Sequence, residues 1–118
     1  MNFTGIPTPT SGNKYYLEGA AEMGVYLGMG HVVTEQFETG DIGYVPMGAG
    51  HYIRNTGSGI LRLLAGFNNG HYRSHDLSAS VASNPPGVLA ANLGLPRTVA
   101  EALPKERLFF ARPFQPMI

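Results

Sequence analysis

Gly40-Asp41-Ile42-Gly43-Tyr44-Val45-Pro46-Met47-Gly48-Ala49-Gly50-His51-Tyr52-Ile53-Arg54-Asn55 is the stretch that decides the fold. Gly40 permits a tight turn into a short strand, and Pro46 ends that strand because its ring removes a ladder donor. Gly48 allows a sharp backbone bend. His51 then opens the next strand, at a position whose side chain points inward if the strand half-buries one face. Asn55-Thr56-Gly57-Ser58-Gly59 closes the unit with five residues of turn chemistry.

Outward from this unit the same texture repeats. Apolar runs of strand length occupy residues 15–19, 22–27, 31–37, 42–45, 51–54 and 60–67, and Gly28-Met29-Gly30 makes a hairpin turn between the second and third. Short strands at about ten-residue spacing predict an antiparallel sandwich or barrel. After Asn69 the pattern changes to helices over residues 76–82, 87–93 and 97–103, with Asp76 as an N-cap, Pro85-Pro86 as an opening and Gly94 as a stop. The expected organisation is one domain over 1–118. It has an extended arm (1–13), a β-barrel (14–69), a helical extension (70–105) and an apolar tail (106–118).

Composition narrows the function classes. The chain has 118 residues and 43% hydrophobic residues, enough for a core, and eight Lys/Arg balance eight Asp/Glu. Zero net charge argues against nucleic acid or an anionic membrane as partner. No run approaches the roughly 20 apolar residues of a spanning helix. The segment after Met1 has no basic-then-apolar leader pattern, so a cytoplasmic location is expected. With no cysteine, disulfides, thiolate zinc sites and a Cys nucleophile are excluded. Charged residues are only 14%, against roughly 25% in soluble domains, which predicts that part of the surface is covered by another copy of the chain.

Gly40, Pro46, Gly48, His51 and Asn55 match G-x5-P-x-G-x2-H-x3-N, and on these residues the chain resembles the cupin superfamily. It is similar in particular to the C-terminal cupin domain of bicupin oxalate decarboxylases. Matching stretches run from Tyr15-Tyr16-Leu17-Glu18-Gly19 to Leu103-Pro104-Lys105, roughly three quarters of the chain. The resemblance implies a mainly β, double-stranded β-helix (jelly-roll) barrel with a short helical extension. It also implies a manganese ion held by two His and a Glu of a first motif, H-x-H-x4-E-x6-G, with His51 as fourth ligand. Counted back from Gly19, the Glu slot falls on Gly12 and the His slots on Pro7 and Gly5, none of which ligates through a side chain. The family's further catalytic Glu falls on Ala65. The expectation is therefore a truncated barrel with no metal site and no cofactor; if any residue binds metal it is His51, with Mn as the alternative.

Alternation predicts what fills such an interior. If position 65 points inward, so do Leu61, Leu63 and Phe67, and on the opposing strand Met23, Val25 and Leu27. With Ala65 these form either an apolar pocket for a small molecule or simply a filled core. His51 is the candidate acid/base, with Tyr16 or Lys14 as helper. Among weaker candidates, His71 and His75 stand four apart and would share a helix face, His31 follows a glycine turn, and Glu35 shares a strand face with Val33 and Phe37.

Three functions remain open on sequence. One is a metal-independent protein that binds, and isomerises or cyclises, an apolar small molecule. Another is a non-catalytic oligomerisation module or fragment. The last is a manganese enzyme of the oxalate decarboxylase type whose ligands come from a neighbouring chain. A shortened barrel exposes strand edges, so a homodimer or higher oligomer is expected, with arm 1–13 lying as a strand on a partner's sheet.

Overall fold

The computed structural model describes residues 2–5, by their backbone, together with 12–71 and 75–106. Eight strands precede three short helices: β1 (Asn2–Gly5), β2 (Gly12–Glu18), β3 (Ala21–Gly28), β4 (His31–Phe37), β5 (Ile42–Val45), β6 (Gly50–Asn55), β7 (Arg62–Phe67), β8 (His75–Asp76), then α1 (Leu77–Ala82), α2 (Pro86–Leu93) and α3 (Arg97–Glu101). The strands form a five-stranded sheet in the order β4-β3-β6-β1-β8 and a three-stranded sheet in the order β5-β2-β7. Among the described residues every strand pairing is antiparallel. The mainly β jelly-roll architecture with a helical C-terminal part agrees with the sequence reading.

Local chemistry explains the connections. Gly28, Met29 and Gly30 all take positive φ, so the β3–β4 turn closes where two glycines make the left-handed backbone inexpensive. Pro86 sits in the first turn of α2, and Gly94 at φ 64° ends that helix. Asp76 does occupy the N-cap position of α1, but its side chain makes no capping bond. It is buried, and its backbone belongs to β8, paired with Thr4 of β1.

That pairing corrects the expected arm. Gly12 and Asn13 already belong to β2, and Asn2–Gly5 adds to the chain's own sheet, between β6 and β8. The amide and carbonyl row of β6 on that side is thus paired by β1 of the same chain. The rest of the arm, residues 6–11, and all but Glu106 of the expected tail lie outside the described residues.

The core lies between the sheets. Tyr16, Ala21, Met23, Val25, Val45, Ala49 and Ile53 form it, with Phe37, Leu61 and Leu63 packed against it. Tyr16 stacks on Phe37 with ring centroids 4.7 Å apart and planes at 11°. The outer face of the three-stranded sheet is apolar and open: Tyr15 pairs with Ile42 and Leu64 across the ladders, and these three, with Leu17 and Tyr44, are exposed.

Candidate functional site

β2 and β6 carry the polar groups of the interior. In β2 the pleat turns Gly12, Lys14 and Tyr16 inward and leaves Asn13, Tyr15 and Leu17 outside. Lys14 pairs with Gly43 on one side and Ala65 on the other; Met23 and Phe37 fill the space over Gly43, and Ala65 is the small neighbour on the open side. Only 5% of the residue is exposed, and its Nζ lies 4.8 Å from the centroid of the Phe67 ring. Phe67 pairs with Gly12, two residues from Lys14, which is the diagonal spacing at which long side chains meet across a ladder. Burial lowers the ammonium's pKa from its ordinary value because the charged form loses hydration.

His51 stands on the other sheet, in register with Thr4 of β1 and Val25 of β3. It is among the largest fully buried side chains. Burial first, and the positive charge of Lys14 second, push its pKa down to about 4; a hydrogen bond with the Ala49 backbone acts in the opposite sense. The imidazole is therefore neutral at physiological pH, beside a lysine that shares the same interior.

Tyr16 joins the core rather than the site. Its hydroxyl is directed at the Met23 sulfur, 3.8 Å away, and burial pushes its pKa up to about 12. The expected lining divides in three. Met23 and Val25 are core, Leu61 and Leu63 are half-buried against the core, and Leu27, Ala65 and Phe67 are exposed. Leu27 has the inward parity, but β6 pairs with β3 only as far as Val25, and the β3–β4 ladder shifts register between Tyr26 and Gly28. Nothing in β6 lies beside Leu27, so it stays in water at 54% exposure. Ala65 and Phe67 share Lys14's face and form its open side.

The weaker candidates disperse. His75 lies in β8 and His71 in a bend before it, so the two do not share a helix face, and both are exposed. His31 opens β4 in solvent. Glu35, in register with Met23, is exposed.

One polar cluster was not anticipated. On the outer face of the larger sheet Glu22 accepts hydrogen bonds from the Tyr52 hydroxyl (2.7 Å), Arg54 (3.0 Å) and Gln36 (3.1 Å). The Tyr52 and Arg54 bonds, in that order, hold its carboxyl below the usual carboxylate range. Tyr52 reaches Glu22 by lying across Gly24, where any Cβ would overlap its ring. The signal available in the sequence was the parity of Glu22, Gly24, Tyr52 and Arg54 on neighbouring strands.

The manganese site implied by the resemblance does not fit these residues. Gly12 is buried between Val45 and Phe67 on Lys14's face, whereas Gly5 pairs with Gly50 and so has the parity opposite to the Thr4–His51 pair; neither position supplies a side-chain donor. Pro7 lies outside the described residues. Among the described residues no three His, Cys, Asp or Glu side chains come together. Hard divalent ions need several oxygen or nitrogen donors, and the group facing His51 here is a cation.

A family model described as Cupin matches residues 10–101. Oxalate decarboxylase OxdC of Bacillus subtilis (strain 168) is 36% identical over 94 residues, spanning 80% of this chain and 24% of that protein. A probable oxalate decarboxylase of Arthroderma benhamiae is 33% identical over 96 residues, with the same shares. The chain thus spans about a quarter of the length of the curated relatives it matches. A solved oxalate decarboxylase structure superposes with a TM-score of 0.82 at 31% identity, covering 92% of this chain and 28% of that one. Another, of the Bacillus subtilis enzyme and with the same TM-score, concerns that enzyme's Mn(II) centres. With the family's second motif on β5 and β6, its two-sheet architecture and a match across most of its length, the chain belongs to the cupin family, as an oxalate decarboxylase-like cupin domain.

Proposed function

We propose that this domain works without a metal, as a small-molecule site in which Lys14 and His51 are the polar groups of a largely apolar interior. The observation that carries the reading is the buried Lys14, whose ammonium rests on Phe67 on the face that it shares with Gly12, where the family's Glu slot falls. Decarboxylation by the relatives' route is not carried over, because position 65 supplies a methyl group in place of a carboxylate. In this site Lys14 serves as proton donor, its acidity raised by burial, and His51, neutral above a pH of about 4, serves as acceptor. Leu63, Phe67 and Ala65 offer apolar surface at the open side, which suits a small apolar molecule with one polar group.

Two measurements test this on the purified chain. Elemental analysis for Mn, Fe, Ni, Cu and Zn, beside a His51→Ala control, is expected to give no stoichiometric metal. Near-stoichiometric metal that disappears in the variant would overturn the reading in favour of a manganese enzyme completed by another chain. Benzyl alcohol, as an uncharged probe, is expected to shift the NMR resonances of the His51 ring; an unmoved ring at saturating probe would mean a filled core.

A second reading, a self-associating domain without catalysis, is favoured by the exposed Tyr15, Leu17, Ile42, Tyr44 and Leu64 on the outer face of the smaller sheet.

A further inference from the structure

Lys14 keeps uncommon company for a buried amine. The ion pairs of the described residues are made by Arg54, Arg62 and Arg97, and none involves Lys14. Its nitrogen sits over an aromatic ring, where the attraction is weaker than a carboxylate's and leaves no acceptor to hold the proton. Phe67 is itself 36% exposed and Ala65, Lys14's partner in the ladder, is exposed. The amine therefore lies at the boundary between a dry interior and an open side. On the β5 side, Met23 and Phe37 pack over its partner Gly43, so the open side is the one formed by Ala65 and Phe67.

We propose that Lys14 is a carbonyl-capturing amine, whose Nζ forms a reversible imine with a small apolar aldehyde seated against Phe67. The inference rests on the metal-independent small-molecule reading and names the substrate class for it. The neutral amine adds to the carbonyl carbon, forming a C–N bond while the carbonyl π pair moves to oxygen. A proton passes from nitrogen to that oxygen to give the carbinolamine. Departure of the hydroxyl with the remaining N–H proton, as water, then leaves the C=N bond. One amine and one aldehyde give one imine and one water, with no oxidant or reductant. An interior of low polarity assists at both ends: it favours the uncharged nucleophile, and it disfavours water's return to the imine.

The chain suits a direct test because it has two lysines, Lys14 and the exposed Lys105. Native full-length protein is incubated with benzaldehyde and sodium cyanoborohydride, and the benzyl group is located by peptide mass spectrometry over time. Lys14 is expected to label faster than Lys105, because burial lowers its pKa and keeps more of its amine neutral. Excess benzyl alcohol should slow labelling at Lys14 alone, and in urea the two rates should converge. Equal native rates, or labelling confined to Lys105, would overturn the proposal. The comparison is internal to the wild-type chain, so it does not depend on whether Lys14→Met folds. If benzyl alcohol moves the His51 ring while Lys14 stays unlabelled, imine chemistry fails and the small-molecule site stands. If neither occurs, both fail.

Discussion

Acid should unfold this domain through His51 before its carboxylates account for the loss. The folded imidazole has its pKa pushed down from the ordinary 6.5 to about 4, whereas the unfolded chain keeps the ordinary value. Between those two values the unfolded state binds the additional proton, so stability rises with pH across this window and falls as the pH is lowered. At roughly 1.4 kcal/mol per pH decade, the full window corresponds to roughly 3 kcal/mol, a large share of the 5–15 kcal/mol typical of a domain. Urea unfolding followed by circular dichroism at pH 7.0, 6.0, 5.0 and 4.2 reads this directly, since the chain has no tryptophan to follow. Wild type should lose roughly 3 kcal/mol across the series beyond the loss seen in His51→Gln. Glu22 and the other carboxylates titrate in both proteins and cancel in the difference. Lys14→Met removes the second cause of the depression and leaves burial, the first, in place, so its curve should fall between the other two. Parallel curves for wild type and His51→Gln would refute the reasoning, and so would a Lys14→Met curve steeper than wild type.

Two further outcomes follow from the sheets. Gly24→Ala drives a Cβ into the Tyr52 ring, displaces its hydroxyl from Glu22 and should cost about 1–3 kcal/mol in urea unfolding. Tyr52→Ala in the same chain should make Gly24→Ala nearly neutral, and additive losses would show that the clash is not the cause. We also expect the domain to self-associate through the outer face of the three-stranded sheet, in keeping with its zero net charge. Sedimentation velocity should then show Ile42→Lys/Leu64→Glu at a smaller mass than wild type, and a monomeric wild type would remove that reading.

What could be read in the sequence was what local sterics dictate. Gly40, Pro46, Gly48 and Gly50 fix a turn, a strand end and a bend within a few residues, so β5, β6 and the inward position of His51 follow from them. The Gly28–Gly30 turn and the Pro86 and Gly94 ends of α2 are of the same kind. Pairing between distant segments left no comparable trace. Thr4 meets His51 on one side and Asp76 on the other, and these contacts move Asn2–Gly5 into the chain's own sheet and His75 into a strand. Parity also has a limit. It tells which face a side chain is on, but not whether anything covers that face. Met23, Val25 and Leu27 have one parity, and β6 runs alongside the first two only. Tyr16 fails for a different reason: a phenol stacked in a core and a phenol in a site look alike until Phe37 and Met23 are placed around it.

The same limit separates inherited fold from inherited chemistry. A jelly roll of this kind is held by backbone ladders and by alternating apolar side chains, and both tolerate glycine where a relative places a ligand. A metal centre has no such tolerance, because each lost donor must be replaced by water or by another side chain. Here Gly5 and Gly12 keep the strands that would carry two of the donors, and the fold survives their loss. His51 keeps its position for a reason that needs no metal: it fills the sheet interior between Thr4 and Val25. Lys14 then determines what such an interior can hold. An ammonium that already makes protonation of His51 unfavourable opposes a divalent cation there even more strongly, since the repulsion scales with charge. A neutral molecule with a polar group for the lysine meets no such opposition, which is why the chemistry proposed for this domain is organised around an amine rather than an ion.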